Sequence, residues 1–178
     1  MHSYLQRVQQ EIEDAVRGLS LEQLVWHQEG KWSAAAILEH LSLTYSGTAK
    51  GLQRGLDSGR PGITSPSAAQ RVARFVVTGL RFMPPGRKAP AMVVPKGAPP
   101  ETVLVDVRRN LAAADEAISR CEARFGAGAK IANHPILGPL TARQWRTFHL
   151  VHARHHMKQI GHIRTQITGE AMAARAHG

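Results

Sequence analysis

Cys121 is the single cysteine in 178 residues, which excludes an intrachain disulfide and a finger-type zinc site and leaves nitrogen and oxygen as the ligands for any metal. Long apolar runs are also missing. No stretch approaches the roughly 20 residues needed to cross a bilayer, so no membrane span is expected. Met1-His2-Ser3 leads straight into a helical pattern without the basic-then-apolar layout of a signal peptide, so the cytoplasm is the expected location. Acidic residues are few, 13 against 23 Lys and Arg, giving a formal charge of +10. Basic residues nevertheless stand singly, with no run of five and little aromatic interleaving. A solvated basic surface is therefore favoured over a nucleic-acid site.

The length suits one domain spanning 1–178. Ser3 with Gln6 reads as a capping box opening a first helix that carries Leu5, Val8, Ile12, Val16 and Leu19. Ser20 with Gln23 opens a short turn with Leu21, Leu24 and Val25. Ser33 caps a second long helix with Ile37, Leu41, Thr44, Thr48 and Leu52 on one stripe, and His40 lies about 60° from its centre, on the inward shoulder. From about 58 to 100, Pro, Gly and basic residues dominate, apart from Val72, Phe75, Val76 and Leu80, which suggest a short amphipathic helix. A connection this long fits a lid or crossover. The third long helix carries Leu104, Val107, Leu111, Ala114, Ile118, Cys121 and Phe125 at alternating steps of three and four. After a loop with Pro135 and Gly138, Thr141 with Gln144 caps a fourth, expected to run to about Thr168 before a fraying tail. With no convincing strand pattern, the expected class is all-α, a four-helix bundle with a long crossover between helices two and three.

Histidines stand where aliphatic residues belong in the fourth helix. His149, His152 and His156 share a face with Trp145 and Ile163, so their imidazoles occupy core positions. Each needs partners for both ring nitrogens, and an inward i, i+4 pair is well disposed to share an ion. His149 and His156 are about 10 Å apart in helix rise, too far for one ion. The choice is His152 with His156 or His149 with His152, joined by His40. Three neutral imidazoles leave positions for water or substrate, as in a catalytic metal site. His149 otherwise reads as a satisfied core histidine or a group behind a ligand; Gln159, one turn beyond His156, reads as a bundle-edge amide ahead of a group that orients a ligand, and His155 and His162 as solvated or edge residues. His152 is followed by Ala153, so the glutamate of an H-E-x-x-H protease is missing. Cys121 reads as a core residue rather than a nucleophile, and Trp32 and Trp145 as packing groups.

Trp32-Ser33, Ile37-Leu38-Glu39-His40-Leu41, the turn Leu137-Gly138-Pro139-Leu140-Thr141 and the run His152-Ala153-Arg154-His155-His156-Met157-Lys158-Gln159-Ile160 together resemble the DinB-like superfamily. The resemblance implies a four-helix bundle, often a homodimer, with a divalent metal (zinc, nickel or iron) on His40, His152 and His156. Some members are S-transferases or isomerases that use a low-molecular-weight thiol, so it implies a metal-dependent transferase acting on a small-molecule substrate. This chain departs from that pattern by inserting the Pro- and Gly-rich Arg60-to-Pro100 region. The competing expectation is a non-enzymatic bundle with a structural or vestigial metal site that acts through protein partners.

Overall fold

A computed structural model describes residues 1–86 and 88–176. Its elements, in chain order, are helices α1 (Ser3–Val16), α2 (Leu21–Val25), α3 (Ala34–Asp57) and α4 (Ala68–Arg74), a π-turn (Phe75–Gly79), a 3₁₀ turn (Ala91–Val93), helix α5 (Pro100–Phe125), strands β1 (Lys130–His134) and β2 (Gly138–Thr141), and helix α6 (Ala142–Ala176). The chain is thus mostly helical. No helix of the described residues is long and apolar enough to cross a membrane.

The long helices follow the periodicity of the sequence. Leu5, Val8 and Ile12 of α1, Ile37, Leu41 and Leu52 of α3, and Val107, Leu111, Ile118 and Cys121 of α5 are all buried. The most extensive packing joins α3 to α5, followed by α1 to α6. Ser20 forms the expected box with Gln23, and Ser33 Oγ accepts from Ala36 N at 3.1 Å. The first cap differs. Ser3 already lies inside α1, and the His2 imidazole takes the capping position, accepting from Tyr4 N. In α2 only Leu24 is buried, since five residues make little more than one turn and expose Leu21 and Val25.

Three further expectations are corrected. The all-α class gives way to helices plus one small sheet, the antiparallel β1–β2 pair, with Ala132 opposite Leu140 and His134 opposite Gly138. Strands of five and four residues are too short for a legible alternation, and Pro135 and Gly138 mark only the turn between them. The His134 ring closes that turn, Nδ1 accepting from Ile136 N and Leu137 N at 3.1 Å each. The short helix of the connection is present as α4 and the π-turn, but it buries only Val77, leaving Val72, Phe75 and Leu80 exposed. Finally, α6 runs past Thr168 and Gly169 to Ala176; His177 and Gly178 lie outside the described residues.

Candidate metal centre

Two helices and one loop build the site. The Ser33 cap fixes the start of α3 and so places His40 in its second turn, buried. Strand β2 runs directly into α6 through a box in which Thr141 N donates to Gln144 Oε1 at 3.0 Å and Gln144 N to Thr141 Oγ1 at 3.2 Å. That start sets the phase of α6 and turns His152 and His156 toward α3. Between them, Ala153 is fully buried; its small side chain lets the helix approach its neighbours closely.

The three rings converge on their Nε2 atoms. His40 Nε2 lies 3.2 Å from His152 Nε2, and His156 Nε2 lies 3.0 Å from that same atom. His40, His152 and His156 are positioned to bind a metal ion, one ligand atom from each lying within 4.8 Å of the others. The alternative pairing of His149 with His152 is not the one the fold assembles. His40 Nδ1 is 2.8 Å from Val93 O, which can only accept, so the Nδ1 proton is fixed and the Nε2 lone pair points inward. His156 Nδ1 likewise donates to Gln159 Oε1 at 2.7 Å. Gln159, read from the sequence as an edge amide, thus orients a ring of the triad.

All three rings are held neutral. Burial lowers the pKa of His40, although its bond to Val93 works the other way. Burial, then the neighbouring His40, brings His156 down to about 4. For His152, burial and the adjacent His156 and His40 hold it well below the usual range. Neutral rings with two fixed tautomers leave a frustrated cluster: a proton on His152 Nε2 can serve only one neighbour, and the buried His152 Nδ1 has no partner. A cation accepts all three lone pairs at once. With metal–nitrogen bonds of about 2.0–2.1 Å, adjacent ligand nitrogens sit roughly 2.9–3.4 Å apart, which brackets the two measured separations. The residues present therefore fit a divalent ion.

Aromatic side chains line the surroundings. Phe148 stacks on His152 with centroids 5.2 Å apart, and the half-buried Trp32 ring lies 5.2 Å from His40. Trp32 and Trp145, expected as packing groups, are respectively half-buried and buried. His162 is exposed; His155 is half-buried, its ring edge-on to His156. Cys121 is fully buried, its thiol pushed up by burial. His149 is a core residue but not a satisfied one. Fully buried, it has no partner on either nitrogen among the described residues, and burial brings it to about 3.

Glu39 gave no signal in the sequence, since a glutamate on a helix normally reads as surface. It is buried, and its carboxylate accepts from Lys96 N at 2.9 Å, Gly97 N at 3.0 Å and Ala98 N at 3.1 Å. Together with the His40–Val93 bond it straps residues 93–98 across α3 beside the triad. The late part of the 58–100 connection is therefore a wall of the site.

Comparison with known proteins gives one match: a family model described as "Protein of unknown function (DUF1569)" covers residues 6–162, a span that includes every residue of the triad. No curated protein and no solved structure matches.

Proposed function

The chain belongs to the DUF1569 family, whose description assigns no function, and from that premise and the geometry of the triad we propose that it is a divalent-metal-binding protein of the DinB-like type. In this reading α1, α3, α5 and α6 are the four helices of the bundle, His40, His152 and His156 are the ligands, and the protein is a metal-dependent transferase using a low-molecular-weight thiol. One observation carries it: three Nε2 atoms converge, two of them with lone pairs fixed inward by Val93 O and Gln159.

An ion at this place supplies Lewis-acid charge that lowers the pKa of a thiol or water bound beside it. The chain's own groups do the rest. Val93 O and Gln159 hold two rings in register, and Phe148 and Trp32 keep the surroundings apolar. Three protein ligands leave positions for a small-molecule substrate. Residues 93–98, tied to Glu39, bound the pocket on the side of the connection.

A structural site is the second reading, favoured by one feature: His40 joins α3, α6 and the connection at a single point. Cobalt(II) loading separates the two. An open site accepts glutathione or another small thiol as a further ligand and gains a sulfur-to-cobalt charge-transfer band; a closed site leaves the spectrum unchanged and removes the thiol-transferase reading.

A further inference from the structure

The basic residues that stand singly in the sequence are gathered by the fold on the far side of α6. A cleft of about 480 Å³ opens between α4 with its π-turn and the first turns of α6, and Arg71, Arg74, Arg81 and Arg143 all line it. No carboxylate among the described residues lines it. Among the described residues none of these four guanidiniums forms an ion pair, whereas Arg17, Arg108, Arg109, Arg146 and Arg154 each do. Close like charges without a counter-charge are unfavourable, and a ligand of opposite sign removes the penalty.

We propose that this cleft binds a small organic phosphate, with the phosphate among the four guanidiniums and the apolar or aromatic body of the ester on Phe75. The volume lies within the range of small-molecule sites, about 300–1,000 Å³, and the concavity differs from the extended stripe that tracks a nucleic-acid backbone. Guanidinium forks match phosphate oxygens, and several arginines lining one cleft favour a dianion over a single carboxylate. Two of the four are already held in place: Arg74 Nη1 donates to Pro139 O at 3.0 Å and Arg81 Nη2 to Tyr4 Oη at 3.3 Å. Arg71 and Arg143 make no side-chain hydrogen bond among the described residues. Lys130, bonded to Gln144 on the cleft wall, is held below the usual lysine range, first by partial burial and then by Arg74.

The apolar half of the site comes from the π-turn. Phe75 is 63% exposed, a large apolar surface beside strong positive charge. Its ring lies against Gly79, where a Cβ would come within 3.2 Å of Phe75 Cδ2, so glycine is what lets the ring lie there. Arg81 follows in the left-handed region, at φ 54, a backbone state uncommon outside glycine. The site is separate from the triad. Thr147, on the cleft wall, and His152 are five residues apart, about 140° around α6.

The test is calorimetric titration of the full-length, metal-loaded protein with phenyl phosphate, with inorganic phosphate as the comparison. Saturable binding of phenyl phosphate is expected, about tenfold tighter than inorganic phosphate. Arg143→Gln, at an exposed position, is expected to weaken it by about tenfold. Phe75→Ser is expected to reduce the affinity to that of inorganic phosphate, while Arg120→Gln leaves it unchanged. No saturation up to about 10 mM would overturn the proposal, as would equal affinity for the two phosphates or equal losses in Arg120→Gln and Arg143→Gln. Random duplex DNA bound through Arg143 and not displaced by phenyl phosphate would also overturn it, in favour of a nucleic-acid surface.

Discussion

His40 and His156 present Nε2 to one point because their other nitrogens are engaged, and the two engagements differ in what can be altered. Val93 O belongs to the backbone, but Gln159 can be replaced. Gln159→Leu frees the His156 ring to rotate and change tautomer, so metal affinity is expected to fall about tenfold with the fold retained. Gln159→Glu keeps an acceptor and is expected to bind at least as tightly as wild type; competition against a chelator of known affinity measures both. His149 makes a separate prediction. A buried neutral histidine takes up its proton on unfolding, so its contribution is complete above the unfolded pKa of about 6.5 and is lost as pH falls toward the folded value. His134 at about 4 and His149 at about 3 place that loss from pH 6.5 down to about 4 for the first and about 3 for the second. Tm measured across this window should fall in wild type and fall less steeply in His149→Leu, which also removes two unpaired buried nitrogens.

The strap over α3 is the element on which the site's wall depends. Glu39 accepts three backbone N–H bonds from residues 96–98, and bonds to a buried charge contribute about 1.5–3 kcal/mol each when both partners are present. Glu39→Ala should therefore release the strap while α3 and α5 stay packed. Limited proteolysis is expected to cut within 88–98 in the variant under conditions that leave wild type intact. Much of this architecture was legible beforehand. Periodicity placed Leu5, Ile37, Val107 and Ile118 in the core, and the i, i+4 step of His152 and His156 on an apolar face singled out the pair. Glu39 was hidden because its partners lie in a connection without periodicity; Gln159 is visible one turn beyond His156 as a group that could orient a ligand, but an edge amide is the favoured reading. The face of α4 misled for a different reason: apolar spacing reports amphipathicity and does not say which side is covered, and Phe75 faces a charged cleft instead of the core.

At the scale of the whole molecule, the two most extensive helix pairings are α3 with α5 and α1 with α6, and buried apolar residues away from the triad, such as Leu5, Leu52, Leu111 and Ile118, fill the core. Chelation should therefore lower Tm through loss of linkage while the far-UV helical signal persists at 25 °C; collapse of that signal would make the ion a folding cofactor. Three of the cleft arginines, Arg71, Arg74 and Arg81, come from the basic 58–100 connection, and the juxtaposition of α4 with the start of α6 adds Arg143. The local basic cluster was visible, but its pairing with Arg143 across the cleft is a long-range placement that leaves no local pattern, whereas the histidine helix carries its pattern in itself.

Elemental analysis of purified, untagged protein tests the histidine assignment most directly, with His40→Ala and His152→Ala beside wild type. About one divalent ion per chain in wild type is expected, lost in both variants while circular dichroism stays helical. Wild type that holds no ion after incubation with zinc, nickel or iron salts, or an ion retained by both variants, would contradict a metal centre on His40, His152 and His156.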